Sequence, residues 1–375
     1  MTRKYKILTI VGTRPELIKM CRVIALMEKH TDHVLVHTGQ NFDHQLNQVF
    51  FDELGIRAPD FYLGAAGGSS VAVIADILVK VEEALLKVRP DAVLIYGDTN
   101  SGLAVIAAKR LKIPVFHMEA GNRCFDQRVP EELNRKVIDH LSDVNMVLTE
   151  HARRYLIAEG LPQDRIFKVG SHMQEVLDHF RPAIARSDVL DRLQLDAGSY
   201  FLVSSHREEN VDSPERLASL LDSLDGLVER YGHRVIVSTH PRTRKRMEEM
   251  DRHEPDPRIT FLPPFGFFDY VKLQAEAACV ISDSGTITEE GSLLGLRAVT
   301  IRQAHERPEG MDAGTLIMCD LDRQSLLNAV EVAMAADMLA AMPVADYEAG
   351  AVSRKVLNIV LSYMGFVNRV VWRKN

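Results

Sequence analysis

The chain has 375 residues, 46% of them hydrophobic and 26% charged, proportions that exclude a disordered, collagen-like or coiled-coil protein. At roughly 150 residues per domain, this length suggests two domains. Lys and Arg number 45 against 52 Asp and Glu, and the resulting charge of −7 argues against a general nucleic-acid binder while still admitting a small anionic ligand.

The first apolar run, Lys6–Val11, reads as a buried strand, and Pro15–His30 as the helix after it, with Pro at a favoured first-turn position. The run is too short, and meets Thr13-Arg14-Pro15-Glu16 too soon, to be a signal peptide. Val34–His37, Ala92–Tyr96, Val115–Met118, Val144–Leu148 and Ile166–Val169 are further strands, separated mostly by helical patterns. A polar stretch from Arg181 to Ser199 breaks the rhythm, which then restarts. Tyr200–Ser204, Arg234–Ser238, Ile259–Leu262, Cys279–Ser282 and Ala298–Ile301 read as strands, with helices over Ser213–Tyr231, Phe268–Ala278 and Thr286–Leu294. Val- and Ile-rich runs of this kind are what a parallel sheet covered on both faces requires. The expected fold is α/β, with two doubly wound Rossmann-like domains facing across a cleft. Residues 1–180 form the first, joined by a C-terminal helix at about 352–375, and residues 181–351 the second.

Four cysteines, Cys21, Cys124, Cys279 and Cys319, form no C-x-x-C pair and have no His at zinc-finger spacing, which fits a reducing compartment and no structural metal. No apolar run approaches the roughly 18 residues needed to cross a bilayer. A cytoplasmic protein without a membrane partner is expected.

Doubly wound sheets bind ligands beyond the carboxyl ends of their strands. Those ends here carry Gly12-Thr13-Arg14, Gly39-Gln40, Gly97-Asp98-Thr99-Asn100, Glu119-Ala120-Gly121, Ser205-His206-Arg207-Glu208, Thr239-His240-Pro241 and Asp283-Ser284-Gly285-Thr286. So many polar strand ends describe a site for a charged substrate. Ser284-Gly285-Thr286 opens a helix, where unpaired N–H groups can receive an anion, although a plain N-cap has the same appearance. Arg14 and Lys19 bring two cations to one mouth, or else decorate a solvated helix face; Arg307 is a third cation near a strand end. Neither G-x-G-x-x-G nor G-x-x-x-x-G-K-[ST] occurs, so a nicotinamide cofactor and a Walker-type ATP site are unsupported. Asp98, Glu119, Glu131 and His206 are the acid–base candidates. Each carboxylate alone could be a cap or an ion-pair partner, but crowded carboxylates raise one another's proton affinity and so allow acid and base to coexist. A lone His is more often a satisfied core histidine, but the setting of His206 between Ser205 and Arg207 at a strand end favours the site. Cys124 has no His at a spacing that supports a thiol nucleophile and reads as structural.

Several of these strings together resemble the non-hydrolysing UDP-N-acetylglucosamine 2-epimerase family. The matching stretches are Gly12 to Glu16 with Lys19, Gly97 to Thr99, His117 to Gly121, Pro130 to Glu132 with Asn134 and Arg135, His206 to Glu208, Asp283 to Gly285 with Glu289 and Glu290, and Glu306 to Glu309. They span nearly the whole chain. The resemblance implies the glycosyltransferase-B architecture, a homodimer, no cofactor, and a reaction that inverts C2 of a UDP-linked N-acetylated amino sugar. UDP leaves, a 2-acetamidoglycal remains, and UDP adds back, in the service of bacterial surface polysaccharides. It further implies that Asp98, Glu119 and Glu131 handle protons and that His206 assists near the diphosphate. Arg14, Lys19, Arg123, His240, Ser284, Gly285, Thr286, Glu290 and Arg307 would bind the substrate, with Glu290 suited to the ribose.

The loop Asn122 to Val129 and Thr286, where the family pattern has Gly, depart from enzymes acting on UDP-N-acetylglucosamine itself. His37 to Asn41, Ser238 to Thr243 and Val370 to Trp372 resemble instead the branch acting on modified sugars, which includes the epimerases for UDP-N-acetyl-L-fucosamine and for UDP-2,3-diacetamido-glucuronate. Some family members are activated by substrate at a second site, for which Gln40 and His240 are the candidates here. The alternatives to an epimerase are a UDP-sugar-dependent glycosyltransferase of the same architecture and a nucleotide-sugar binder with a dead site. Clustered carboxylates favour proton transfer over both.

Overall fold

Both faces of each sheet are covered by helices, which is why the strands are apolar throughout rather than alternating. The computed structural model describes residues 3–39, 51, 53–250, 256–335 and 343–374. The chain divides into two compact units, Met1–Asp178 with Asp346–Asn375, and His179–Ala345. It leaves the first unit within the helix His172–Ala185 and returns at 345/346, where the sequence reading has 180/181 and 351/352.

The first unit holds β1 (Lys6–Val11), β2 (Asp32–His37), β3 (Phe61–Tyr62), β4 (Ala92–Tyr96), β5 (Val115–Ala120), β6 (Val144–Val147) and β7 (Ile166–Lys168). Their order is β3-β2-β1-β4-β5-β6-β7, and every neighbouring pair is parallel. Leu8, Ile10, Val93, Ile95 and Val115 form its core with Ile77 and Val81 of the helix Ser70–Val88. Ile10 of β1 lies beside Ile95 of β4, so the turns after these two strands leave the sheet side by side. From there the chain winds in opposite directions, and a crevice opens between the turns.

The C-terminal helix Val352–Val370 packs on the helix Arg14–His30. Val352, Val356, Val360, Met364 and Val367 are buried on it at helical spacing. Its start is fixed where Ser353 donates from Oγ to Glu175 at 2.5 Å and Lys355 Nζ donates to the Val169 carbonyl at 3.0 Å.

The second unit repeats the plan with β8 (Tyr200–Ser204), β9 (Arg234–Ser238), β10 (Ile259–Leu262), β11 (Cys279–Ser282), β12 (Ala298–Thr300) and β13 (Ile317–Met318). The order β10-β9-β8-β11-β12-β13, again all parallel, puts the reversal between β8 and β11. Phe201, Val203, Val237 and Ile281 pack there against Leu220 and Leu224 of the helix Pro214–Tyr231 and Val330 of the helix Arg323–Met334. Both units are thus doubly wound and Rossmann-like, as the sequence predicts. Among the described residues, no helix is long and apolar enough to cross a membrane.

Candidate active site

In the first unit the site residues gather where β1, β4 and β5 end. Glu119 occupies β5 itself, at a register shift between Met118 and Ala120, with φ +61. A non-glycine residue in the left-handed region at a bulge is a backbone held under constraint, and a bulge re-aims the side chain it carries. Glu119 Oε2 accepts from Lys19 Nζ at 2.7 Å and from the Tyr96 hydroxyl. Lys19 is almost wholly buried, with its side chain 5% exposed. The sequence reading puts Lys19 on the nucleotide and Glu119 on the proton; the structure joins them in one buried ion pair.

Asp98 follows β4 and accepts from Arg135 Nε at 2.7 Å. Asn134, next to it on the helix Pro130–Leu141, donates from Nδ2 to the Asp98 carbonyl at 2.9 Å. Glu131 lies half-buried in the first turn of that helix, so Arg135 and Asn134 tie Asp98 to the element that carries Glu131. Arg135 also meets Glu132 at 2.8 Å, and Glu132 in turn accepts from the backbone N–H groups of Cys124 and Phe125 and from the Cys124 thiol. Burial opposes the charge of Glu132, but these donors outweigh it and hold its carboxyl below the usual range. Burial pushes the Cys124 thiol up, in keeping with a structural cysteine.

Arg123 departs from its expected role. Its side chain has no exposed surface: Nη1 meets Asp139 at 2.7 Å, while Nε and Nη2 grip both oxygens of Glu159 at 2.8 and 2.7 Å. A guanidinium spent in this way is scaffolding, so the substrate contact assigned to it gives way to a structural one. Asp139 also accepts from His117 Nδ1 at 2.8 Å and from Gly121 N–H, anchoring the turn just beyond Glu119.

The second unit presents β8 and β11 in the same way. Asp283, fully buried after β11, accepts from Ser205 Oγ at 2.8 Å, from the N–H groups of His206 and Arg207 at 3.0 Å, and from Asn210 Nδ2 at 3.1 Å. Burial raises its proton affinity, but the His206 ring and these donors outweigh that and keep the carboxyl below the usual range. His206 is exposed, with Nδ1 3.2 Å from Asp283 Oδ1. It is therefore a surface residue oriented by a buried carboxylate rather than a core histidine.

Ser284, Gly285 and Thr286 form the turn into the helix Ile287–Leu294, with the two hydroxyls 3.0 Å apart. A Cβ on Gly285 would stand 2.4 Å from Glu306 Oε1, so any larger residue would have to displace this carboxylate. Behind the turn, Arg302 pairs with Glu306 at 2.7 Å and Arg307 with Glu289 at 2.9 Å, all four buried. Arg307 contributes to the wall of a small pocket with Ser284, Gly285, Arg302 and His305. Glu290 is buried and accepts from Gln274 Nε2 at 2.6 Å. His240 caps the exposed helix Pro241–Glu248, its Nδ1 accepting from Arg242 N–H. Gln40 lies outside the described residues.

Arg135, Glu132, Tyr96, Asp283 and Glu16 receive no role from the sequence reading. The three-residue step from Glu132 to Arg135 on one helix is a legible ion-pair signal; the others become partners only through the fold.

A family model described as UDP-N-acetylglucosamine 2-epimerase matches residues 25–361. The solved structure of UDP-N-acetylglucosamine 2-epimerase from Rickettsia bellii is 57% identical, covers 99% of this chain and 100% of that one, and superposes with a TM-score of 0.92. The Methanocaldococcus jannaschii UDP-GlcNAc 2-epimerase, solved in complex with UDP-GlcNAc and UDP, is 32% identical over 95% of this chain and 99% of its own, with a TM-score of 0.88. The Pseudomonas aeruginosa UDP-2,3-diacetamido-2,3-dideoxy-D-glucuronate 2-epimerase is 34% identical over 88% of this chain and 92% of its own.

Glu16 stitches the β1 and β4 turns together. It accepts from Gly12 N–H at 2.5 Å, Thr13 N–H at 3.2 Å and Thr99 Oγ1 at 2.6 Å. Burial lifts its pKa from 4.5 to about 7, opposed by these donors and reinforced by the charge of Asp98. A carboxyl that binds its proton more tightly when folded adds stability that is complete below pH 4.5 and lost as pH rises through about 7. Glu16→Gln cannot titrate there. In urea unfolding at pH 5 and pH 8, its stability is therefore expected to fall less between the two than that of the wild type, by about 3 kcal/mol. Equal falls in the two proteins would remove Glu16 from the pH response.

Proposed function

The chain belongs to the UDP-N-acetylglucosamine 2-epimerase family, and from that premise we propose that its strand-end carboxylates invert C2 of a UDP-linked N-acetylated amino sugar. The reaction is an isomerisation for surface-polysaccharide precursors. A carboxylate removes the C2 proton as the C1–O bond breaks; the C–O electron pair leaves with UDP and a 2-acetamidoglycal remains. Re-addition of UDP at C1, with a proton delivered to the opposite face of C2, gives the inverted sugar.

One observation carries this reading: Asp98 and Glu119 end neighbouring strands, each held by its own cation, Arg135 and Lys19. A cation on each side chain fixes where its oxygens point, as proton transfer at C2 requires. Glu131 completes the set from the first turn of the helix that supplies Arg135. In the second unit, His206, the Ser284-Gly285-Thr286 turn and the buried Arg302 and Arg307 have the chemistry to hold a diphosphate as charge develops on it. Arg14, in the first turn of its helix, is the corresponding cation of the first unit, and Glu290 is the acceptor for ribose hydroxyls.

In deuterium oxide the enzyme is expected to place deuterium at C2 of its UDP-sugar without any acceptor, and Glu119→Gln to lose that exchange while still binding UDP. Inverted product that keeps its original hydrogen would rule out elimination.

The sugar belongs to the same proposal. The loop Asn122 to Val129 offers both an aromatic face and a cation: Phe125 is 70% exposed and the Arg128 side chain, paired with Asp126, is 81% exposed, while Arg123 is buried on Asp139 and Glu159. Within the branch acting on modified sugars, a loop with an exposed ring and an exposed cation suits a uronate, whose carboxylate needs a cation, as well as a 6-deoxy amino sugar such as UDP-N-acetyl-L-fucosamine. A homodimer is also proposed, supported by exposed Val71, Val79 and Leu86 on one helix and Leu133 and Val137 on another. Light scattering should give twice the chain mass, and the mass of a single chain would contradict it.

A further inference from the structure

Tyr96 has no part in the chemistry set out above. It is the last residue of β4, 3% exposed, opposite Met118 of β5. Its hydroxyl donates to Glu119 Oε2, the oxygen that Lys19 also holds. Its ring lies 5.6 Å from Lys19 Nζ and meets the His172 ring edge-on at 5.3 Å. The phenol thus touches both members of the ion pair, one through its oxygen and the other through its ring.

We propose that Tyr96 is a positioning residue for proton transfer at Glu119, its hydroxyl fixing the orientation of the carboxylate that Lys19 pairs with. An ammonium on a flexible stem attracts a carboxylate without fixing its rotation. A phenol is directional, and its rigid ring, wedged against His172, carries that direction into the packed sheet. The constraint matters because Glu119 sits at φ +61 on a bulge, where the backbone alone would not keep it aimed. The ring also shields the Lys19–Glu119 pair from water, which strengthens both contacts.

The inference rests on the reading of Glu119 as a proton-transfer residue. The ionisable groups that face it include Lys19 from the helix Arg14–His30, Tyr96 from β4 and, behind the Tyr96 ring, His172; Asp139 anchors Gly121 nearby. Losing a donor to the charged form makes a carboxyl bind its proton more tightly. In Tyr96→Phe, the limb of the kcat/KM pH profile that reports Glu119 is therefore expected to move up by about one pH unit. At neutral pH kcat should fall about tenfold, with KM and UDP affinity within about twofold. Tyr96→3-fluorotyrosine retains the donor and should keep kcat within about twofold of wild type.

An unmoved limb with unchanged kcat in Tyr96→Phe overturns the proposal. So does a loss of UDP affinity and kcat together without a moved limb, which marks a merely structural residue. If Tyr96→Phe does not fold, a tenfold loss in the fluorinated variant overturns it instead. A wild type that exchanges no C2 hydrogen would be a failure of the epimerase reading, a separate result from any of these.

Discussion

A parallel strand delivers its chain to one edge of the sheet, and where the strand order reverses, two successive turns part and leave a crevice between them. This constraint operates twice, between β1 and β4 and between β8 and β11. The Gly12-Thr13-Arg14 and Gly97-Asp98-Thr99 turns border the first crevice; the Ser205-His206 and Asp283-Ser284-Gly285 turns border the second. None of these residues needs a loop of its own to reach the site, because the winding of the sheet brings it there. Buried carboxylates then fasten one turn to the next. Glu16 joins the β1 and β4 turns, and Asp283 joins the β8 and β11 turns.

The cations behave in a way that composition alone hides. Lys19, Arg123, Arg135, Arg302 and Arg307 are all buried against carboxylates. A buried ion pair contributes little net stability, since desolvation of both charges offsets their attraction, but it fixes geometry closely. In this chain such pairs surround the strand ends. The Lys19–Glu119 and Arg135–Asp98 pairs hold reactive groups, whereas Arg123 with Asp139 and Glu159 holds only the loop beyond them. The same residue types serve chemistry in one place and framework a few residues away.

That difference marks the limit of what the sequence shows. β1, β4 and β8 to β11 are legible residue by residue because an unbroken apolar run bounded by turn residues has one reading in a doubly wound fold. β3 and β13 are not, as two residues at a sheet edge carry no periodic signal. Of the site, the positions of Asp98, Glu119 and His206 at or near strand ends, and of Glu131 beside a helix start, can be read directly. Their partners cannot: Lys19 meets Glu119 across a hundred residues of sequence, and Asp283 meets His206 across seventy-seven. Arg123 looks like a ligand-binding cation until burial shows that Asp139 and Glu159 already hold it.

The least legible feature is the most instructive. Nothing in His117-Met118-Glu119-Ala120-Gly121 announces that β5 bulges at Glu119 and that this side chain leaves the alternation of the strand. A left-handed glutamate costs on the order of 1–3 kcal/mol, and such a conformation persists only where its surroundings over-determine it. Here those surroundings are explicit. Lys19 and Tyr96 hold the side chain, Asp139 holds the Gly121 N–H, and Gly121, at φ +82, makes the turn that a side chain would block, since its Cβ would lie 2.6 Å from the Ala152 carbonyl. A regular strand would be cheaper and would not hold position 119 in the left-handed region. The strain is therefore tied to the placement of one carboxylate, and the contacts that sustain it are the same contacts that hold that carboxylate in place.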